Sequence, residues 1–389
     1  MNGTRGFYGI LKRELRRLIS RPLYLFCMVV APIACCLFFT SLMKSGLPEN
    51  LPVGVVDLDN TKTTREILRN LDAFSQTGIK QNYVSVSDAR EAMQRGEIYA
   101  FYYIPEGTTA QLIAGRQPKV SFYTNGSYLI AGSLTYRDMR TMSVLANASV
   151  GLQTMQAKGI NEQTARELLQ PIVIDTHPLN NPWLNYSVYL NNTILPGILM
   201  LLIFMITAFS IGIEFKDGTV KEWLALADGR VWIAVLGKLL PHTVIFFIVG
   251  IAYDTWLYGV LHFPCHSGIL PLLLATFLMV VASQAVGVTF FTLLPTLRLS
   301  LSACSLWGML SFSISGFTYP VMAMHPMLQS ISNLFPLRHY FLIYVNQMLN
   351  GYQMSEVWTA YAALCAFILL PVLLYKRLKN ALINFDYIP

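Results

Sequence analysis

The chain has 389 residues, of which 54% are hydrophobic and 13% are charged, and its formal net charge is +7. A soluble domain carries about 25% charged residues, so the composition excludes an ordinary soluble globular protein. Residues 22–43 and 255–297 contain no charged side chain, and about 20 apolar residues in a helix cross a bilayer core. We therefore predict a polytopic α-helical membrane protein.

The first 21 residues carry six basic side chains and one acidic side chain. Their apolar residues recur at helical spacing, and most of the basic residues fall elsewhere, which predicts an amphipathic interface helix lying on the membrane surface over 1–21. The apolar block that follows, 22–43, is too long for the apolar region of a signal peptide and has no small-residue cleavage site. We expect it to be an uncleaved first span.

The sequence of residues 44–192 predicts an α/β domain outside the membrane. They contain 13 basic and 13 acidic residues, and predicted strands alternate with predicted helices, as in a small sheet covered by helices. Asp57 and Asp59 follow the first strand, where a turn and helix-capping role is favoured over a metal site. The predicted strands are 52–57, 99–104 and 120–123, and the predicted helices are 64–73, 89–95, 107–114, 127–158 and 162–169.

Six spans are predicted in all, at 22–43, 193–213, 239–259, 269–294, 299–317 and 357–375. Basic residues cluster before the first span and again at Lys376, Arg377 and Lys379. Because cytoplasmic segments are enriched in Lys and Arg, we expect both termini, including the tail 376–389, and the segment 214–238 to be cytoplasmic. The basic residues lie next to the membrane, so nucleic-acid binding is not expected.

Polar residues inside the predicted spans are few. The fifth span has small residues at intervals of three, which favour close helix packing or a pathway. Asp254 and His242 lie near span ends and are expected to be structural. With no chain of buried acids, a proton relay is not favoured, and no catalytic or metal-binding motif is found. The small residues of the fifth span are Ser302, Ser305, Gly308 and Ser311.

Several short strings in a fixed order resemble the permease subunit of type-2 ABC exporters, in the bacterial branch with a large extracytoplasmic insert between the first two spans. The resemblance covers essentially the whole chain. The strings are Leu51–Asn60, Ile104–Gly107 with Ala114–Pro118, Glu214–Glu222, and Ser315–Pro320 with Met324–Pro326 and Phe335–His339.

One string departs from the family pattern. After the Gly-Thr pair, relatives usually have an acidic residue two positions on, followed by two leucines and a proline. Here the stretch is Val220–Gly229, in which the acid is shifted by one position to Glu222 and the proline is missing.

The chain has no G-x-x-x-x-G-K-[ST] sequence, so we predict a transporter subunit without its own ATP site rather than an enzyme. The resemblance implies a separate cytoplasmic ABC ATPase, which would bind ATP and Mg²⁺ and contact a coupling loop at 214–238. An apolar helix there suits a partner's groove, although Trp223 would also suit a membrane anchor at the headgroups. The predicted loop residues are Glu214, Lys216, Asp217, Gly218, Thr219, Lys221, Glu222 and Trp223.

The resemblance also places the interface helix, with Arg13, Arg16 and Arg17, beside the ATPase, whereas the residue pattern alone equally suits a lipid surface. It implies a homo- or heterodimer of permeases in a bacterial inner membrane, with a periplasmic adaptor as a further partner. An apolar lining would suit export of a hydrophobic or amphipathic substrate. The outer connection 316–356 carries the family's glycine and prolines: Gly316, Pro320, Pro326 and Pro336.

Two other functions fit the topology. The chain would be a non-transporting receptor or envelope-assembly factor if its outer domain bound a partner. It would be an ion-coupled secondary transporter if its spans formed an internal repeat, but no such repeat is visible.

Overall fold

The computed structural model describes residues 6–182 and 184–384. The chain forms two compact units. The insert unit is Ser45–His177, and the helical unit combines Met1–Lys44 with Pro178–Pro389. The outermost parts of the predicted interface helix and tail, residues 1–5 and 385–389, lie outside the described residues.

The helical unit begins with two helical segments that meet at Arg21. Helix α1 (Phe7–Ser20) is followed by α2 (Pro22–Leu25), a π-helical turn (Phe26–Val30) and α3 (Ala31–Leu42). Arg21 is extended, as expected for a residue before proline, and Pro22 takes the first helical position, where its missing N–H costs nothing. The chain therefore turns sharply between the amphipathic helix and the first span.

The insert unit contains a four-stranded sheet with the order β2-β1-β3-β4. Strand β1 pairs in parallel with β2 and β3, and β4 is antiparallel to β3. The elements in chain order are β1 (Leu51–Asp57), α4 (Lys62–Asp72), β2 (Thr77–Asn82), α5 (Val86–Gln94), β3 (Ala100–Ile104), α6 (Thr108–Ile113), β4 (Ser121–Thr124), α7 (Leu129–Ala157) and α8 (Glu162–Leu169).

Helices cover both faces of this sheet. Leu71 of α4 and Met139 of α7 pack on one face with Val53 and Tyr102, and α5 packs on the other face. The Asp57 carboxylate accepts the backbone N–H of Asn60 at 2.9 Å and that of Asp59 at 3.1 Å. Asp57 thus fills the turn role that its position predicted. Strand β2 was missed, because Lys80, Gln81 and Asn82 are polar and lie at the sheet edge.

The rest of the helical unit is almost entirely helical. Helix α11 continues into a π-helical segment (Thr255–Val260), and α15 continues into another (Tyr344–Leu349). The remaining helices are α9 (Tyr186–Lys216), α10 (Val220–Leu226), α11 (Val231–Asp254), α12 (Ile269–Leu293), α13 (Leu297–Ile314), α14 (Pro326–Ser332), α15 (Pro336–Ile343), α16 (Met354–Leu373) and α17 (Tyr375–Asn384).

Six helical segments within the described residues are long and apolar enough to cross a membrane, which confirms the predicted number of spans. The second and third are longer than predicted, at Tyr186–Lys216 and Val231–Val260. The prediction ended both spans at a charged residue, whereas the backbone hydrogen bonds continue past it. The connection between them is therefore 217–230 instead of 214–238, and both Glu214 and Lys238 lie on helices.

Helix α9 lies at the centre of the helical unit and contacts α3, α11, α12, α13 and α15. Gly308 of α13 allows one of these close approaches, because a Cβ atom there would lie 2.4 Å from Cδ1 of Leu201. Ser311 is buried on the same side, Ser305 is half-buried and Ser302 is exposed. The small residues of α13 thus divide between a packed face and an open face.

The predicted outer connection folds back into the unit as short helices. Gly316 has a left-handed φ of 106°, which favours glycine. Pro320 precedes a 3₁₀ turn, whereas Pro326 and Pro336 occupy the first positions of α14 and α15. The buried face of α15 then joins the main apolar core through Leu337, Tyr340 and Ile343.

Candidate functional site: a buried ionic cluster

Charged side chains from α1, the end of α9 and the start of α11 meet at one end of the helical unit. We call this group the ionic cluster. Four of its members are at most 1% exposed: Glu14, Glu214, Lys238 and His242. A buried charge is costly unless it is paired and hydrogen-bonded, so the partners of each decide what the cluster does. Its residues are Arg13, Glu14, Arg17, Arg21, Glu214, Asp217, Lys238 and His242.

Lys238 forms the centre of the ionic cluster. Its Nζ atom donates to Glu14 Oε2 at 2.8 Å and to Glu214 Oε1 at 2.7 Å, and it lies 5.1 Å from the centre of the Trp223 ring. His242 Nε2 lies 3.0 Å from Glu14 Oε1. One ammonium group thereby joins three helices: α1, α9 and α11.

Two arginines of α1 and Arg21, which follows the last residue of α1, complete the cluster. Arg13 binds Glu214 with two nitrogens, at 2.9 and 2.8 Å, and Arg17 binds both Glu214 and Asp217. Arg21 pairs with Asp217. Arg13 and Arg17 are four residues apart and therefore lie on one face of α1, and Arg21 follows the end of the helix. This stripe of bases meets the carboxylates at the end of α9.

The cluster contains three arginines, one lysine, three acidic side chains and one histidine. Burial alone would raise the pKa of Glu14, but the charge of Lys238 and the contact with His242 lower it to about 2. Burial would likewise lower the pKa of Arg13, but its hydrogen bonds to Glu214 raise it above the ordinary value. Glu14 and Arg13 are therefore charged at physiological pH.

The E-x-x-x-G-T string shapes the end of α9. Gly218 takes a left-handed φ of 68°, and its N–H donates to the Phe215 carbonyl at 3.1 Å. The N–H of Thr219 donates to the Glu214 carbonyl at 2.8 Å, so the end is a Schellman motif. The Thr219 hydroxyl also donates to the Glu214 carboxylate. The string thus ends the helix and holds Glu214 inside the cluster.

Trp223 lies inside the protein. Its side chain is fully buried, and its Nε1 donates to the Ala234 carbonyl at 3.2 Å. The ring therefore anchors α10 to α11, and it is not exposed on the surface of the described structure. Glu214 is buried as well, so these two predicted loop residues are internal in the described structure.

Of the other predicted loop residues, Asp217 pairs within the ionic cluster and Thr219 is half-buried, whereas the rest lie on the surface of the same segment. Lys216, Lys221 and Glu222 are exposed. On α1, Arg16 is exposed, whereas Arg13 faces the cluster. The predicted contact residues therefore separate into an internal set and a surface set.

Backbone contacts add to the ionic ones. The N–H of Gly6 donates to the Leu226 carbonyl at 2.7 Å, which joins the start of α1 to the end of α10. A Cβ atom at Gly237 would lie 3.1 Å from Ile10, so glycine allows α1 to approach α11 closely. We call residues 6–21 and 214–238 together the platform.

Glu14, Lys238 and His242 were not among the predicted site residues. A signal for Glu14 was present, because it follows Ile10 and precedes Leu18 at spacings of four on the apolar face of α1. A lone acid on that face indicates a buried partner for it, such as a cation. Lys238 could not be identified, because it was assigned to a loop.

The opposite end of the helical unit, which we call the neutral end, has no ion pair among the described residues, and its hydrogen bonds join hydroxyl, amide and carboxyl groups. Tyr258 donates to Asn192 at 2.6 Å, and Tyr361 donates to Gln347 at 2.6 Å. Asp254 is buried there and accepts the hydroxyl hydrogen of Thr276 at 2.8 Å. Across residues 6–182 and 184–384, no group of three or more His, Cys, Asp or Glu side chains is placed to hold a metal ion.

Comparison with known proteins gives one family. The model of a family described as ABC-2 family transporter protein matches residues 22–375. No curated protein matches the chain significantly.

Proposed function

Because this chain belongs to the ABC-2 family of transporter proteins, we propose that it is the permease subunit of an exporter that moves a hydrophobic or amphipathic substrate out of the cytoplasm or the inner leaflet. A separate ABC ATPase subunit would bind ATP and Mg²⁺ and supply the energy. The family match over 22–375 supports the permease role, and the apolar composition of the spans supports the substrate class.

We place the platform on the cytoplasmic side of a bacterial inner membrane. The bases of α1 and the exposed bases Lys216, Lys221 and Arg230 lie at this end, and cytoplasmic segments are enriched in Lys and Arg. Both termini would then be cytoplasmic. The insert unit would be extracytoplasmic, where a periplasmic adaptor could reach it.

The ionic cluster supports the proposal that the platform transmits motion of the ATPase to the spans. Lys238 binds side chains of α1 and α9 at once, and breaking a buried ion pair is costly. A push on α10 would therefore move α1, α9 and α11 together rather than one helix at a time. Such rigid-body motion is a common response to a partner's conformational change.

The ATPase would contact the surface set of the platform: Lys216, Lys221 and Glu222. These side chains are exposed, whereas Trp223 and Glu214 are buried. The internal set would transmit the motion, and the surface set would bind the partner. The sequence alone placed both sets in one coupling loop without this division.

A second permease, identical or related, would complete the pathway. The large side chains Leu306 and Met309 on α13 are exposed in the single chain. They would face lipid or the second copy, with Ser302 on the open face of the same helix. Gly308 and Ser311 would instead pack within one permease.

Co-purification with candidate ABC ATPases tests this proposal. The double variant Lys221→Glu/Glu222→Lys reverses two surface charges, and we expect at least a tenfold loss of ATPase association with unchanged thermal stability. The matched control is Lys379→Glu, an exposed cation on α17, which should bind normally. Normal ATPase binding by the double variant would contradict the proposed contact surface.

A further inference from the structure

A cleft in the insert unit has the properties of a small-molecule site. Its volume is about 850 Å³, within the range of about 300–1,000 Å³ typical of ligand pockets. It lies between the sheet and α7 and is closed on one side by the loop 115–121. Every residue that lines it belongs to the insert unit.

The cleft opens where the sheet topology favours ligand binding. In the order β2-β1-β3-β4, the connection from β1 leads to β2 at one edge of the sheet, and the connection from β3 leads to β4 at the other edge. In open α/β sheets, ligands bind at such a switch point, outside the carboxyl ends of the strands. Ile104 at the carboxyl end of β3, Thr64 of α4 and Thr109 of α6 line the cleft.

The cleft has an apolar floor and a basic rim. Ile67, Ile104 and Val150 supply apolar surface, and the Tyr102 hydroxyl lies 2.9 Å from Ser143 Oγ at the wall. Three cations lie at the rim: Arg116, Lys119 and Lys158. Among the described residues that line this cleft, none is Asp or Glu.

Three of the twelve bases of the insert unit pair with a carboxylate, and the rim cations are not among these three. Arg95, Arg137 and Arg166 each pair with a carboxylate, whereas Arg116 and Lys158 make no ion pair with any described residue. The insert unit has 12 basic and 13 acidic residues, so three cations around one cleft that no Asp or Glu lines form a local concentration of positive charge. Such a concentration attracts and orients an anion.

We propose that this cleft binds a water-soluble anionic amphiphile, with the apolar body on the floor and the anionic group at Arg116, Lys119 and Lys158. The volume suits one apolar chain or a drug-sized body rather than a two-chain membrane phospholipid. This inference does not depend on ATP-driven transport. If it fails, the permease assignment is unaffected, because binding is measured without an ATPase.

Photo-crosslinking of the full chain in lipid nanodiscs tests the proposal. The probe is a decyl phosphate with a diazirine in its chain, and the matched probe is the decyl trimethylammonium with the same diazirine. We expect peptides from 102–121 and 143–158 to be labelled at least tenfold more by the phosphate. Equal labelling by the two probes would overturn the proposal.

Variants test whether binding depends on the rim cations and on the free volume of the cleft. Arg116→Glu/Lys119→Glu/Lys158→Glu should lower phosphate labelling at least tenfold, whereas Arg69→Glu/Arg90→Glu/Arg140→Glu reverses three exposed charges outside the cleft and should not. Asn147→Trp, at a lining position, should lower labelling by filling space. Unchanged labelling in the first triple variant and in Asn147→Trp would refute the site.

A third probe tests whether the cleft binds a water-soluble ligand or a lipid of the bilayer. A two-chain phosphatidate with the same diazirine, placed in the nanodisc bilayer, should label the cleft peptides at least tenfold less than the soluble decyl phosphate. Stronger labelling by the bilayer phosphatidate would show a membrane-lipid site and would refute the soluble ligand proposed here.

Discussion

The two ends of the helical unit are held by different chemistry. At the platform, buried charges pair across three helices, with Lys238 between Glu14 and Glu214. At the other end, hydroxyl and amide groups such as those of Tyr361 and Gln347 form buried hydrogen bonds without an ion pair, and the Asp254 carboxyl group accepts one from Thr276. Both ends bury polar atoms, and the platform uses its ion pairs to join the amphipathic helix α1 to the spans.

This difference predicts how much stability each end loses on substitution. Removing one partner of a buried ion pair leaves an uncompensated charge, which costs about 3–5 kcal/mol. A neutral hydrogen bond between helices in a membrane contributes about 0.6–1.7 kcal/mol. The platform should therefore respond to single substitutions much more strongly than the neutral end does.

The largest effect is expected for Lys238→Met. The variant keeps most of the side-chain volume but leaves Glu14 and Glu214 without their shared cation, and we expect the free energy of unfolding to fall by about 3–5 kcal/mol. Denaturant or heat unfolding in detergent measures it. Lys379→Met removes an exposed cation and serves as the control. Equal stability of Lys238→Met and wild type would contradict the paired cluster.

A smaller, pH-dependent effect is expected for Glu14→Gln. The pKa of Glu14 is lowered from 4.5 to about 2, so its charge stabilises the folded state above pH 4.5, and this contribution is lost as the pH falls toward 2. We expect a deficit of about 2–3 kcal/mol at pH 7. The gap between variant and wild type should close on acidification.

The exposed Glu222 gives the control for that pH series, because Glu222→Gln should track wild type across the whole range. A gap between Glu14→Gln and wild type that stays constant from pH 7 to pH 3 would show that Glu14 stabilises the protein by packing alone.

Gly308→Leu tests the packing of α13 on α9, the helix that runs between the two ends. A Cβ atom at this position would lie 2.4 Å from Leu201 Cδ1, and overpacking costs about 1–3 kcal/mol. Heat unfolding should show the loss, whereas Ser302→Leu on the exposed face should not. If both variants were equally stable, the close approach of the two helices would be in doubt.

The smallest effect is expected for Tyr361→Phe at the neutral end. The variant loses hydrogen bonds to Gln347 and to the Pro271 carbonyl, and the cost should be about 1 kcal/mol. Tyr352→Phe alters an exposed ring and should match wild type. A loss as large as that of Lys238→Met would remove the contrast between the two ends.

The spans and most of the insert were predictable because their signals are local. Residues 22–43 and 255–297 show the spans by their lack of charge, and Val53 to Val56 show a buried strand by composition. Strand β2 carries polar residues at a sheet edge, so its pairing with β1 decides its structure. Local patterns cannot supply that information.

The ionic cluster was not predictable in the same way. Arg13, Glu214 and Lys238 were each considered for topology or for partner binding, because a single sequence does not show which distant charges meet. Glu214 and Lys238 are 24 positions apart, and Glu14 is 224 positions from Lys238. Only the packing of α1 against α11 brings them together.

Amide hydrogen exchange tests the central claim, which is that buried charges hold α1 to the spans. In Glu14→Gln, residues 7–20 should exchange at least tenfold faster than in wild type, while α15 (Pro336–Ile343) and the insert unit keep their rates. If α1 kept its wild-type exchange rate, or if all three regions accelerated equally, the ionic cluster would not be what holds α1 in place.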